Sequence, residues 1–410
     1  MEAWSRQIGG SSMKTFHDPE VFGRVRRLPV PVSAVVARLR DEALARGVDV
    51  VDLSRGGLDR GASPAVVERL REAVADPRLH GHAGPLGLPE LRAAAARWWS
   101  RRHGVEVDPE REVLVTPGSE AGLGHALLAL LSEGDTVLVP APAYPLHAYG
   151  AVLAGAESIP VRAGPGVDFF ESLMEATEKA EKRPKGIVVS FPANPTAAVA
   201  TPELLEKVVR FAEARGLFVL SDLAHGELVF DGGRAPAMLS VPGARERTLE
   251  FVSLASSHGM AGWRVGFCAG NPALVAAAAR VTGHLGGGPF GATQLAAVTA
   301  LDEGDAGVAA TRERTQRRRD ALVAALGAAG WRIPPPAATP FAWAPVPEPF
   351  RALGSLEFAR RLVDEAGVCV APGVGFGPAG EGFVRIALAA DEPRLQLAAE
   401  RIHDFLQKGR

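Results

Sequence analysis

Short runs of β-forming residues alternate with longer helical patterns along most of this 410-residue chain. Each run is apolar and is followed by a stretch with helical periodicity, so crossover helices join consecutive strands. Such crossovers place successive strands parallel in one buried sheet. The pattern therefore predicts an α/β fold with a mostly parallel sheet. The runs are Val113–Thr116, Thr136–Val139, Gly186–Ser190, Leu217–Leu220 and Thr248–Val252.

A chain of this length is too long for one small core and suits two domains. The alternation gives way to a long helix near Ala309–Gly330, and a different α+β pattern starts at Phe341. We therefore expect a second, smaller α+β domain towards the end of the chain. Residues 1–13 are expected to form a disordered extension, because their Ile8–Met13 segment is mostly small and polar.

Charge, hydropathy and cysteine content exclude several classes of partner. The formal net charge is −2, so nothing attracts nucleic acid, and the basic run Arg317–Arg319 is interpreted as a solvated helix face. No apolar run is long enough to span a bilayer, and residues 1–13 lack the core of a signal peptide. Cys268 and Cys369 lie far apart in apolar segments, which argues against a disulfide framework or a structural metal site. We expect a cytoplasmic protein without a membrane partner.

A candidate phosphate-binding turn follows the first predicted strand. Gly118, Ser119 and Glu120 lie between that strand and the apolar helical stretch Leu123–Leu131. Backbone N–H groups at the start of a helix are well placed to bind a phosphate. The same residues also suit an ordinary strand-to-helix turn. The turn gains weight only from the residues that accompany it.

Those residues follow in a fixed order, and each alone also fits a turn, a helix cap or a surface ion pair. They are Tyr144 in Pro-Ala-Tyr-Pro, Asn194 in Phe-Pro-Ala-Asn-Pro-Thr, Asp222 in Leu-Ser-Asp-Leu-Ala-His, Ser253 with Arg264, and Arg385 in Gly-Phe-Val-Arg-Ile. Together they resemble the class I/II aminotransferases, a family of fold-type I pyridoxal-phosphate enzymes, from about Leu28 to Phe405. The segments Gly87–Arg92, Asp222–His225 and Pro372–Gly377 are similar to those of the alanine and LL-diaminopimelate aminotransferase branch.

The resemblance implies a fold, a domain division and an assembly. We expect a large domain over 63–310, with a mostly parallel seven-stranded sheet flanked by helices, and a smaller α+β domain formed by 14–62 and 311–410. We also expect a homodimer with cofactor sites at its two-fold interface. His82 stands where the family has a Tyr that reaches the neighbouring subunit's phosphate, and Gly286–Gly291 should also approach the partner's site.

The resemblance also implies a role for each motif residue. Arg264 would clamp the cofactor phosphate with Gly118, Ser119, Glu120 and Ser253. Asp222 would pair with the pyridinium nitrogen, Asn194 would donate to the phenolic oxygen, and Tyr144 would stack on the ring. Arg385, with Asn194, would bind the carboxylate of an amino or keto acid.

The residue that holds the cofactor covalently in this family is absent. In the family a Ser stands three residues before the lysine and an Arg eight after it; Ser253 and Arg264 fit, and the lysine position is Ser256. The lysine amine binds the cofactor aldehyde and then moves the substrate proton. A shift in register supplies no substitute, since the four lysines at 179–207 are interpreted as solvated surface. The six lysines are Lys14, Lys179, Lys182, Lys185, Lys207 and Lys408.

Other departures from the family concentrate around the aldehyde end of the cofactor. They are Ala197, His225, Ala255 and Ser256, with His82 at the predicted interface. His225 and His258 add groups that titrate near neutrality, so both are candidate proton carriers. His225 is the favoured one, and a structural role remains open for His258. His82, His225 and His258 lack the short spacing of metal ligands, so we expect no metal.

Three functions remain open. The favoured one is an aminotransferase-like enzyme that binds pyridoxal or pyridoxamine 5'-phosphate noncovalently and acts on an amino or 2-keto acid without a lysine. The second is a catalytically silent relative that stores cofactor or pairs with an active subunit. The third is a fold recruited for chemistry without pyridoxal phosphate. An ordinary aminotransferase whose lysine was replaced by design is a further alternative.

Overall fold

The structure is a computed structural model that describes residues 22–57 and 60–408. Its strands are β1 (Val51–Asp52), β2 (Val113–Thr116), β3 (Thr136–Ala141), β4 (Glu157–Arg162), β5 (Gly186–Ser190), β6 (Phe218–Asp222), β7 (Thr248–Ser253), β8 (Gly266–Gly270), β9 (Phe341–Pro345), β10 (Val368–Cys369), β11 (Ala371–Pro372) and β12 (Phe383–Ala387).

The helices alternate with these strands over most of the chain. They are α1 (Val32–Ala45), α2 (Pro64–Val74), α3 (Pro89–His103), α4 (Ser119–Leu130), α5 (Pro145–Leu153), α6 (Phe169–Glu178), α7 (Pro202–Arg215), α8 (Pro272–His284), α9 (Gly291–Glu303), α10 (Asp305–Ala328), α11 (Gly354–Ala366) and α12 (Glu392–Lys408). Local sequence sets several boundaries. Thr201, for example, caps α7 by accepting a 3.2 Å hydrogen bond from Leu204 N, and Gly216 ends that helix at φ 62°.

Strands β2 to β8 form one seven-stranded sheet in the order β2-β8-β7-β6-β5-β3-β4. All neighbouring pairs are parallel except those made by β8, which is antiparallel to both β2 and β7. Helices cover both faces. Val188 and Leu220 pack with Leu123 of α4, while Ile187 and Val219 on the same strands pack with the opposite cluster, which includes α6 and α7. The mostly parallel, doubly covered sheet that the alternation predicts is thus confirmed.

A second set of strands lies towards the end of the chain. β11, β12 and β9 form an antiparallel sheet, and β1 pairs parallel with β10. This set shares an apolar core with α10, α11 and α12, in which Leu53, Leu322, Phe358 and Phe405 are buried. The predicted long helix and the α+β pattern from Phe341 are both observed.

Two predictions about boundaries are not decided by this architecture. Residues up to Val30 group as a small unit, whose described part contains a short helical turn at Val25–Arg27, and residues 31–410 group as one compact unit. The division into 63–310 and the flanking segments therefore stays a prediction. The extension at 1–13 lies outside the described residues.

The interpretation of Arg317–Arg319 as a solvated face is wrong for two of its residues. The Arg318 and Arg319 residues are buried, at 3% and 5% exposure. Arg319 makes a bidentate ion pair with Asp231, and Arg318 donates to the carbonyl oxygen of Ala389. Both guanidinium groups therefore join α10 to neighbouring segments, and only Arg317 is exposed.

Within the described residues, no helix combines the length and apolarity that a membrane span requires. Cys268 and Cys369 are both free and buried. The described part of the chain also contains no cluster of three or more His, Cys, Asp or Glu residues placed to hold a metal ion.

Candidate active site

Several sequence-predicted site residues lie where parallel strands end at one edge of the large sheet. β6 ends at Asp222, which is in register with Ser190 at the end of β5. β7 ends at Ser253, and the loop after β5 carries Asn194. Because carboxyl ends of neighbouring parallel strands share one edge, this edge is where open α/β sheets bind ligands.

Gly118, Ser119, Ser253 and Arg264 form what we call the phosphate cup. Gly118, at φ 85°, precedes α4, and no side chain caps the first N–H groups of that helix. A Cβ atom on Gly118 would lie 3.2 Å from Nη2 of Arg264. Arg264 itself adopts the left-handed conformation, at φ 51°. Uncapped N–H groups beside a guanidinium make a donor set suited to an anion.

Close packing between β8 and the start of α4 shapes this cup. A Cβ atom on Gly266 would lie 2.8 Å from the Ser119 nitrogen and 2.7 Å from the Val252 carbonyl oxygen. Only glycine allows β8 to approach the start of α4 so closely. The Ser253 hydroxyl accepts a 3.2 Å hydrogen bond from Ala255 N, which tightens the turn after β7.

Asp222 is paired with a residue that the sequence did not single out. His147, only 1% exposed, donates from Nε2 to Oδ2 of Asp222 at 2.9 Å. Ala224 N donates to the other carboxylate oxygen. Burial alone would raise the pKa of Asp222, but these hydrogen bonds and the His147 charge outweigh it and lower the pKa. The position of His147 in the sequence could have identified it, because it lies three residues after Tyr144, on the first turn of α5.

Tyr144 lies beside the same group of residues. Its ring packs edge-on against His147, with 6.0 Å between ring centroids, and its hydroxyl donates to Glu120 at 2.5 Å. Burial, and then the negative charge of Glu120, raises the pKa of Tyr144 above its ordinary value. The phenol is therefore a protonated donor at neutral pH.

Arg385 is buried between two aromatic rings. Its guanidinium carbon lies 4.0 Å from the ring centroid of Phe341 and 4.7 Å from that of Phe376. Nη1 donates to Asn194 and Nη2 to the Ser54 carbonyl, each at 3.0 Å. Burial lowers the pKa of Arg385 to about 10, so the group stays charged at neutral pH. Among the described residues its buried Nε has no hydrogen-bond partner.

Ser256 and His225 lie next to Asp222, in adjacent turns. The Ser256 hydroxyl donates to the Ala224 carbonyl at 2.8 Å. The His225 ring packs edge-on against Phe341, with 5.7 Å between centroids. In the part of the chain that the structure describes, the buried Nδ1 of His225 has no hydrogen-bond partner. The predicted residues at the lysine position and beside it are thus brought together.

The expectation that His225 and His258 titrate near neutrality is wrong. Burial, reinforced by the Arg385 charge and opposed by Asp222, lowers the pKa of His225 to about 4. Burial, with the charge of Arg102, lowers the pKa of His258 to about 4 as well. Both rings are therefore neutral at physiological pH.

His258 is held by structural contacts. Its Nδ1 lies 2.8 Å from the Ser257 hydroxyl, and the ring hydrogen-bonds the Ala300 carbonyl of α9. A Cβ atom on Gly304 would lie 2.8 Å from its ring, so α9 ends tightly against it. This geometry favours the structural role that the sequence left open. His82 is exposed, and so are Gly286 and Phe290 of the Gly286–Gly291 segment, whereas Gly291 is buried.

The lysines that the structure describes all lie on the surface. Lys179, Lys182, Lys185, Lys207 and Lys408 are exposed. Lys207, for instance, lies over the Phe170 ring at 5.8 Å. Lys14 lies outside the described residues. The structure therefore brings none of the described lysines to Ser256.

A cavity of 310 Å³ borders the site on one side. It is lined by Asn194 together with Pro142, Phe169, Phe191 and Lys207, among others. Asp222, Ser256, Arg264 and Arg385 are not part of its lining. We therefore define the candidate site by these convergent polar groups, because they carry the chemistry, and we treat the cavity as its neighbour.

Comparisons with known proteins identify the family that the chain resembles. The family model "Aminotransferase class I and II" matches residues 48–402. Glutamate-pyruvate aminotransferase AlaC of Escherichia coli K12 is 45% identical over 381 residues, covering 93% of this chain and 92% of AlaC. LL-diaminopimelate aminotransferase of Desulforudis audaxviator is 39% identical over 383 residues, covering 93% and 97% of the two chains. The predicted resemblance to this branch is confirmed.

Solved structures show the same fold. Substrate-bound BacF of Bacillus subtilis superposes with a TM-score of 0.88 at 29% identity, covering 94% of this chain and 97% of BacF. A single mutant of Thermus thermophilus aspartate aminotransferase gives 0.86 at 32% identity, covering 93% and 98%. The predicted fold-type I architecture is therefore confirmed.

Proposed function

Because the chain belongs to the class I and II aminotransferase family, whose cofactor is pyridoxal phosphate, we propose that it binds this cofactor, or its pyridoxamine form, noncovalently. We further propose that it acts on an amino or 2-keto acid without a catalytic lysine. The observation that carries the proposal is the neutral pair Ser256 and His225 beside the hydrogen-bonded charged groups of Asp222, Arg264 and Arg385.

The residues present fit the cofactor at both of its charged ends. The phosphate cup offers uncapped N–H groups and the Arg264 guanidinium to a phosphate. Asp222, whose pKa is lowered, would stay ionised and hold a proton on the ring nitrogen. Tyr144 would pack against the ring, and the Asn194 amide would donate to the phenolic oxygen.

When bound, pyridoxal phosphate supplies an aldehyde that reacts with amines and a ring that accepts electrons. Ser256 offers no amine to that aldehyde, and its hydroxyl is engaged by the Ala224 carbonyl. The aldehyde would thus be available to react with the amine of a substrate. This difference separates the proposal from an ordinary member of the family.

Arg385 would bind and orient the substrate through its carboxylate. The guanidinium contacts both aromatic rings, and its hydrogen bonds to the Asn194 side chain and the Ser54 carbonyl hold it in position. A buried, charged and partly unpaired fork favours a carboxylate over neutral groups. The substrate class is therefore an amino or keto acid.

His225 would move the proton at the substrate α-carbon. Arg264 and Arg385 stay protonated, Asp222 is engaged with His147, and the contacts of His258 are structural. By elimination among these groups, we assign the proton transfer to the neutral imidazole of His225. A pKa of about 4 makes it a weak base until ligand charges change its surroundings.

The proposal is tested by titrating the purified protein with pyridoxal phosphate and recording absorbance spectra. We expect saturable binding with the spectrum of the free aldehyde, followed by a spectral change when an amino acid is added. The variant Ser256→Lys should instead bind the cofactor through an amine. Absence of cofactor binding by the folded protein would overturn the proposal and favour chemistry without pyridoxal phosphate.

We also propose a homodimer that works in the cytoplasm. The exposed His82 and the Gly286–Gly291 segment, with its exposed Gly286 and Phe290, are expected at the interface. Two buried free cysteines suit a reducing compartment. We expect light scattering at micromolar concentration to give twice the 42.9 kDa chain mass. A monomeric mass would contradict this assembly.

A further inference from the structure

Glu120 stands at the mouth of the phosphate cup. It occupies the second position of α4. Its Oε1 accepts a 2.5 Å hydrogen bond from the Tyr144 hydroxyl, and its Oε2 lies 3.3 Å from Nη2 of Arg264. The same Nη2 lies against Gly118. A protein carboxylate therefore already bridges Arg264 of the phosphate cup and Tyr144, the residue proposed to pack against the cofactor ring.

The charge balance of the cup makes this contact important. A phosphate monoester carries close to two negative charges at neutral pH, and the charge that Arg264 brings is single and positive. Glu120 already pairs with that charge. A cofactor phosphate must either displace this carboxylate from Arg264 or bind beside a like charge, and both weaken binding.

We propose that Glu120 is a built-in competitor of the cofactor phosphate for Arg264. The inference rests on the proposed function, in which the phosphate cup holds a noncovalent cofactor. With Ser256 at the lysine position, no covalent bond retains the cofactor, and the competing carboxylate weakens the remaining anchor. The chain would then exchange its cofactor with solvent, taking it up and releasing it like a substrate.

A second role for Glu120 makes the opposite prediction. If its main task were to position Tyr144 over the cofactor, losing the carboxylate would weaken binding. The variant Glu120→Gln separates the two roles, because the amide oxygen still accepts from the Tyr144 hydroxyl while the negative charge is gone. Glu120→Ala removes both the charge and the acceptor.

The matched control is Glu90→Gln. Glu90 occupies the second position of α3, as Glu120 does in α4, so the two substitutions remove the same charge from the same helical position. Glu90→Gln therefore controls for the loss of one acidic charge from the first turn of a helix away from the cup. Only Glu120 contacts Arg264.

The experiment measures equilibrium dissociation constants by calorimetry for three probes: pyridoxal phosphate, inorganic phosphate and pyridoxal, which lacks the phosphate. We expect Glu120→Gln to bind pyridoxal phosphate about tenfold more tightly than the wild-type chain, the effect of removing one close like charge. Inorganic phosphate should also bind more tightly, and the affinity for pyridoxal should stay unchanged. Glu90→Gln should match the wild type for all three probes.

Two results would overturn the inference. Wild-type binding of pyridoxal phosphate with equal or weaker binding by folded Glu120→Gln and Glu120→Ala would overturn the competitor role alone. Failure of every folded variant to bind pyridoxal phosphate or inorganic phosphate would overturn the proposed function with it. Circular dichroism establishes that each variant is folded.

Discussion

Charged groups held by hydrogen bonds surround one part of the candidate site, and neutral groups surround the other. We call Ser119, His147, Asp222, Arg264 and Arg385 the binding set, and Ser256 with His225 the reaction pair. In the binding set a carboxylate faces an imidazole at 2.9 Å and a buried guanidinium lies between two rings. In the reaction pair a hydroxyl is engaged by a backbone carbonyl and an imidazole is neutral.

Under the proposed function, cofactor binding and covalent chemistry are separated within one fold. The binding set needs charge, and Asp222, Arg264 and Arg385 each have a hydrogen-bond partner from a distant part of the chain. The reaction pair needs only a group that can accept a proton and room for a substrate amine. A chain can therefore lose its lysine and still keep a site shaped for the cofactor and a carboxylate.

The largest expected effect is on the reaction pair. His225→Phe should abolish turnover, because the described proton acceptor is removed. Cofactor affinity should stay within about tenfold, because at most one hydrogen bond of roughly 0.5–1.5 kcal/mol is lost. Turnover and cofactor dissociation constants are measured on the same preparations, with the exposed His284→Phe as the control. Wild-type turnover in His225→Phe would make His225 structural and direct attention to His258 or to a water held by Ser256.

The next effect sharpens the role of the binding set. Arg385→Lys keeps the charge but loses the planar fork that Phe341 and Phe376 hold. We expect the substrate dissociation constant to rise by about 10- to 100-fold, the value of a charge-assisted hydrogen bond of roughly 1.5–3 kcal/mol. The affinity for pyridoxal phosphate should not change. Unchanged substrate affinity would show that Arg385 supports the fold and not the substrate.

Much of this organisation could be predicted from the sequence because it is local. Five of the seven strands of the large sheet coincide with the apolar runs predicted from the sequence, and most motif residues lie at or just after the ends of strands. The two missed strands are explained by their composition: β4 contains Pro160 and charged ends at Glu157 and Arg162, while β8 is bounded by glycines at 266 and 270. Neither has the continuous apolar run of a typical buried strand.

The contacts that set charge could not be predicted in this way. The pairing of His147 with Asp222 joins residues 75 positions apart, and that of Glu120 with Arg264 joins residues 144 apart. The lowered pKa of His225 depends on burial in the folded chain. Sequence spacing identifies residue types, whereas these properties arise from tertiary packing.

A further effect concerns stability. The pKa of His225 is about 4 in the folded chain and 6.5 when unperturbed, so between these values the unfolded chain binds more protons. The contribution of His225 to the free energy of unfolding must then fall as pH falls through this window, by at most about 1.4 kcal/mol per pH unit. Glu250 contributes oppositely, since burial raises its pKa to about 7.

The difference between wild type and His225→Phe isolates this one contribution. Denaturant unfolding should show a stability gap that shifts in favour of His225→Phe as pH falls from 6.5 to about 4. A gap that is independent of pH would show that His225 is not buried as a neutral ring.

The central claim is that the chain holds pyridoxal phosphate without a covalent bond to a protein lysine. Borohydride reduction of the loaded protein, followed by proteolysis and mass spectrometry of the peptides, tests it most directly. We expect no lysine peptide of the native protein to carry a pyridoxyl group, and Ser256→Lys to carry it at position 256. A pyridoxyl label on any lysine of the native chain, Lys14 included, would contradict the account.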